Sequence, residues 1–145
     1  MPLGRQIKVT ITAANNATIF DINALVLDTS TITGNLIITT TGDISQTGSL
    51  TIGGAAALNS GGHDINLGNA NDFNSLGITS ARDVMVNDKT ALILNTSTIT
   101  GTLTITTGGD ITDNGVLVIS GLVTLDSGSH DITLDNANNF SSVGI

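Results

Sequence analysis

The chain has 145 residues, enough for one domain and too few for a catalytic domain joined to a separate binding domain. Ile, Leu and Val supply 41 residues and Phe three more, well above the apolar share at which a chain stays unfolded. Twelve Asp and no Glu stand against Arg5, Lys8, Arg82 and Lys89, so the net charge of -8 repels a phosphate backbone and argues against a nucleic-acid partner.

The first residues, MPLGRQIKV, lack an apolar stretch of signal-peptide length, and no segment approaches the roughly 18 apolar residues of a membrane span, so membrane insertion is not expected. With no Cys there is no disulfide and no thiolate metal site. Residues 1–11 read as a lead-in or partial coil. From Thr12 onward the chain repeats: 12–78 aligns with 79–145 without a gap, with 37 identities in 67 positions.

Within the unit, apolar residues alternate over short runs. In chain order these are Leu25-x-Leu27, Leu36-x-Ile38, Leu50-x-Ile52, Ile65-x-Leu67, Leu76-x-Ile78 and Val84-x-Val86. This is strand periodicity. Gly34-Asn35, Gly53-Gly54, Gly61-Gly62 and Gly108-Gly109 break the runs where sharp bends are needed. An Asp opens segments at Asp21, Asp43 and Asp64, and again at Asp88, Asp110 and Asp131, a spacing that predicts coils of about 22 residues, three to a repeat.

Short strands at that spacing cannot bury a face alone, but coils stacked on one another can. The expectation is an all-β parallel solenoid of about six and a half coils, on the order of 30 Å long at about 4.8 Å per coil. The repeats 12–78 and 79–145 then form one continuous domain. An antiparallel sandwich or an up-and-down barrel also uses short strands, but neither predicts a gapless 67-residue repeat. The expected core is Leu36, Ile38, Leu50, Ile52, Ile65 and Leu67 with their counterparts 67 residues on, and Phe73 and Phe140 fill volume at corners.

The polar residues point to no reaction. His63 and His130 lie in Gly-rich loops beside Asp64 and Asp131, about 14 Å apart along the axis if three coils separate them, too far to share one metal ion. Ser60 and Asp64 are near His63 by sequence only, which is no basis for a triad. Gly61 to Asp72 has the Gly, Asn and Asp content of calcium-binding β-rolls, but Asp64 stands where the nonapeptide needs Gly. Arg82 and Lys89, the cations a lyase would need, face Asn15 and Ile22 in the other copy. Thr31-x-Thr33 and Thr98-x-Thr100 suggest an ice-binding array, interrupted in the coils between them. No catalytic, cofactor-binding or metal-ligating residue is assigned, and no cofactor is expected.

The runs GNLIITTTGDI (34–44), GSLTI (48–52) and GGHDINLGNANDF (61–73) resemble the repeats of filamentous haemagglutinin-like exoproteins, large bacterial surface adhesins exported by two-partner secretion. The resemblance covers about 12–145. It implies a right-handed parallel β-helix, an extracellular or cell-surface location, and a non-enzymatic role as a shaft segment. Its partners would be adjacent repeats, or other copies end to end, with a host surface or carbohydrate beyond them. Because Ile145 is equivalent to Ile78 and Ile11, Thr12 of another molecule is in register to follow it, and the alternative expectation is a subunit that stacks head to tail into a fibre. A carbohydrate-binding or ice-binding solenoid is a third reading.

Overall fold

The computed structural model describes residues 7–145, and among them it contains strands and turns but no helix. Sixteen strands follow in order: β1 (Ile7–Val9), β2 (Ala17–Asp21), β3 (Leu25–Leu27), β4 (Ser30–Ile32), β5 (Leu36–Thr40), β6 (Ile44–Gln46), β7 (Leu50–Asn59) and β8 (Ile65–Ser80). Then come β9 (Val84–Asp88), β10 (Leu92–Leu94), β11 (Ser97–Ile99), β12 (Leu103–Thr107), β13 (Ile111–Asp113), β14 (Leu117–Asp126), β15 (Ile132–Thr133) and β16 (Asn139–Gly144). Every strand pairing is parallel, each strand meeting the one wound beneath or above it. This is the parallel β-solenoid that the alternation and the repeat predict.

Two stacked ladders run the length of the rod. In the first, one inward column passes through Ile7, Leu25, Ile44, Ile65, Val84, Leu103, Val123 and Val143. In the second, a column passes through Ala17, Leu36, Ala56, Leu76 and Leu94 to Asp113. Successive members are 18 to 21 residues apart, so eight rungs span seven windings, about 34 Å at the strand spacing.

The winding is therefore tighter than the Asp spacing suggests. Sixty-seven residues make close to three and a half windings in place of three, and the second repeat is rotated by roughly half a turn on the first. Three windings above Leu25 stands Val84, while Leu92, the repeat counterpart of Leu25, stacks on Ile111 in the second ladder. Every paired strand changes ladder in this way: β5 lies in the second and its counterpart β12 in the first, β6 in the first and β13 in the second. The physical reason is that Asp marks corners on different rungs. Asp43 and Asp64 do stack, but Asp21 pairs with Thr40 and Asp88 with Thr107, in other columns.

The core consists of the aliphatics picked out by alternation. Leu36, Ile38, Leu50, Ile52, Ile65 and Leu67 are buried, as are Leu103, Ile105, Leu117 and Ile119, whereas Ile132 and Leu134 on the last winding are only half-buried. Phe73 is fully buried and Phe140 packs against the core. Phe20 and Ile22 break the pattern: 70% and 68% exposed, they sit where the second repeat has Asn87 and Lys89.

Glycine marks the corners where one winding crosses the next most closely. A side chain at Gly121 would collide with the backbone of Gly101 beneath it, and one at Gly54 with that of Gly34. The backbone N–H groups of Gly121 and Gly54 donate to those same carbonyls. A Cβ there would force the windings apart.

Leu103 lies between Val84 and Val123 and is 4% exposed, so Leu103→Asp places a charge in a column with no partner for it. The expected loss exceeds about 4 kcal/mol and prevents folding. Circular dichroism and thermal melting check this, and an unchanged melting temperature would contradict the inward placement.

Candidate functional site

Each repeat carries one turn that projects from the rod, and both projecting turns are built alike. In the first, the Ser60 hydroxyl donates to the His63 carbonyl at 2.6 Å, the His63 N–H donates to the Ser60 carbonyl, and the Gly61 N–H donates to the Asn59 amide oxygen. In the second, Ser127 donates to the His130 carbonyl at 2.6 Å, the His130 N–H returns to Ser127, and the Gly128 N–H donates to Asp126. Positive φ occurs, among the described residues, only at Gly61, Gly62 and Gly128, so these turns require glycine. Both histidines are exposed.

The two histidines do not stand three windings apart on one side, as the coil count predicts. Backbone hydrogen bonds run from Arg82 to His63, from Gly101 to Arg82 and from Gly121 to Gly101, so Gly121 lies three windings above His63. His130 is nine residues further round. Ser60, His63 and Asp64 also do not form a relay. The Ser60 hydroxyl is engaged with backbone carbonyls, the His63 Nδ1 lies 2.9 Å from the Ser60 carbonyl oxygen, and Asp64 turns to Arg82.

Asp64 belongs to a stair of carboxylates at one corner. The Asp43 carboxylate accepts the Asp64 N–H, Asp64 accepts the Asp83 N–H, and Asp83 accepts both the N–H and the hydroxyl of Thr102. Arg82 grips Asp64 with two hydrogen bonds of 2.8 and 2.6 Å and lies 3.6 Å from Asp83. That hydrogen-bonded guanidinium holds the Asp64 carboxyl below its ordinary range. Lys8 pairs with Asp28 at 3.1 Å and Lys89 with Asp72 at 3.5 Å, so each described cation meets an acid on a neighbouring winding. Beside the stair, Asp64, Asn66, Asp83, Met85, Thr102 and Thr104 line a shallow groove of about 180 Å³, smaller than the usual ligand pocket.

Two buried polar groups went unmarked in the sequence. Asn71 is fully buried; its amide oxygen accepts from the Gln46 side chain and the Leu50 N–H, and its NH2 donates to Gln46 Oε1 and to the Leu67 and Asn87 carbonyls. Asn138 repeats this in the second unit, accepting from the Leu117 N–H and donating to Asp113. The paired Asn69-Ala-Asn71 and Asn136-Ala-Asn138 were the available signal. Asp88, also buried, accepts the Phe73 N–H at 2.7 Å from the winding below and the Thr90 N–H from its own turn. Burial pushes its carboxyl above the ordinary value, against the pull of those hydrogen bonds.

The Thr residues form no continuous array. Thr31 stacks on Thr51, and the next residue in that column is Asp72; Thr98 is followed by Val118 and Asn139. Thr33 and Thr100 direct their hydroxyls to the Ala14 and Ala81 carbonyls of the winding beneath.

Two outcomes are expected from the buried polar groups. Asn71→Leu leaves the Leu50 N–H and the Gln46 amide without partners and lowers stability by about 3 kcal/mol in urea unfolding. Asn138→Leu, on the half-buried last winding, costs less. Asp88, raised above 3.8, favours the fold when protonated: its contribution is full below 3.8 and is lost as pH rises through its folded value. Asp64 and Asp28 are held below 3.8, Asp64 chiefly by Arg82 and Asp28 chiefly by the Thr29 N–H, so their contribution is present above 3.8 and is lost as pH falls through their folded values. Melting temperature should therefore rise slightly as the solution is acidified towards 3.8 and then fall, and Asp88→Asn should remove the rise while keeping the fall.

Comparison with the curated proteins returned no match, and comparison with the solved structures returned none. The model of one family, described as repeats of unknown function (DUF5649), matches residues 14–80 and 81–144, so its two copies cover most of the chain and coincide closely with the two 67-residue units. The chain therefore belongs to this family of repeats of unknown function.

Proposed function

We propose that the chain is a structural rod segment, a stiff non-enzymatic spacer in a secreted or surface-exposed bacterial adhesin-like protein that holds another part of the assembly away from the cell. The observation that carries this reading is the use to which the polar groups are put. The stair acids, Asn71, Asp88 and the corner Thr hydroxyls bind backbone or side chains of adjoining windings, and the interior is an aliphatic column seven windings long. Such a rod resists bending because each winding is fixed by parallel hydrogen bonds on both sides.

The resemblance of 34–44, 48–52 and 61–73 to filamentous haemagglutinin-like repeats supports the extracellular placement and the right-handed winding. Protease treatment of intact source cells, followed by detection of the repeat, tests the location: loss of the signal is expected, and full protection would overturn it.

A second reading, a subunit that stacks end to end into a fibre, is favoured by the return of register after two units. Val9 and Val143, two repeats apart, both lie in the first ladder, with Leu76 between them in the second. Sedimentation velocity over a range of concentrations separates the two readings. The spacer predicts a constant sedimentation coefficient, and the fibre predicts one that climbs with concentration together with filaments in micrographs.

A further inference from the structure

The exchange of ladders between repeats bears on how the rod meets a partner. Outward residues that occupy the same place in the two units face different ways. Ser45 stands in an outward column that continues through Asn66 and Met85 to Thr104 on the first ladder. Its counterpart Thr112 stands in a column that runs down through Ile93 and Ser75 to Ala55 on the second, and Ala55 is ten residues past Ser45, half a winding on.

The projecting turns follow the same rule. Ser60–His63 and Ser127–His130 share their internal hydrogen bonds, and open space surrounds the Cα positions of Gly62 and Gly128. They are the places where the two units are most alike and stand furthest clear of neighbouring windings. Elsewhere the outward residues of the units diverge, as Phe20 and Ile22 do from Asn87 and Lys89.

We propose that the 67-residue unit is a half-turn screw element that offers one histidine-tipped, glycine-backed recognition turn twice, on opposite sides of the rod. A chain of two units is then bivalent, holding two copies of a protein partner that face apart and do not meet. In a longer run of such units, alternate repeats would address alternate sides, with two units needed to return to the first. The inference stands on the register alone and does not depend on the spacer being part of an adhesin.

The chain has no Cys, so engineered thiols are unique sites for labels. Two double variants decide the geometry: Ser45→Cys with Thr104→Cys, and Ser45→Cys with Thr112→Cys, each carrying spin labels read by pulsed electron paramagnetic resonance. The first pair is expected near 14 Å, three windings along one column, and the second at about 20 Å or more, because about 17 Å of axial rise combines with sheets about 10 Å apart. A second pair no longer than the first would overturn the proposal.

Bivalency has its own readout. His63→Cys with His130→Cys, biotinylated through a short linker, is expected to take up two molecules of monovalent streptavidin in native mass spectrometry. The Ser45 and Thr104 pair, on one side, takes up one. Uptake of a single molecule by the His63 and His130 pair would overturn the two-sided presentation.

Discussion

The structure depends on one requirement: each winding must leave its backbone N–H and C=O groups aligned with those of the next, at the spacing of paired strands. An unpaired backbone polar group away from water is costly, so a chain that coils this way must keep every rung parallel and in register. Inward Leu, Ile and Val then meet their equivalents one winding away, and burial of apolar area follows from the same alignment. The corners are where the requirement is hardest to meet, because the chain must bend while still reaching its neighbour. Glycine allows close approach at Gly34, Gly54, Gly101 and Gly121, and Asp, Asn, Ser and Thr side chains replace backbone partners that the bend removes.

The charged residues make sense in the same frame. A solenoid stacks like upon like, and a column of carboxylates at strand spacing repels itself. Asp43, Asp64 and Asp83 are tolerated at their corner because each accepts a backbone N–H from the winding above and Arg82 sits between two of them. Exposed ion pairs contribute little to stability on their own, so Arg82 and Lys89 are better understood as local relief of that repulsion than as braces. Asp88 is the opposite case, an acid kept inside because the Phe73 and Thr90 amides need it, at the cost of a carboxyl that resists ionisation.

Much of this was legible in the residues. Alternation at Leu36, Ile38, Leu50 and Ile52 marks inward positions, and a gapless repeat built from short strands points to stacked parallel coils. The length of a winding was not legible, because Asp recurs at corners that belong to different rungs: the spacing from Asp43 to Asp64 is a rung, and the spacing from Asp21 to Asp43 is not. A repeat period records how the sequence duplicated, and nothing requires it to hold a whole number of turns. The buried role of Asn71 was half visible in its duplication at Asn138, whereas Asp88 looks like any acid at a strand end. The exposure of Phe20 had no signal either, since an aromatic in an alternating run ordinarily faces inward.

The separation between partners also governs how the rod comes into being. Each rung finds its mate 18 to 21 residues away and never at the far end of the chain. A new winding can therefore form as soon as about twenty more residues are free, on a template already finished. A chain released from one end, whether by the ribosome or through a narrow channel, can be built vectorially, and the emerging segment needs nothing that has not yet arrived.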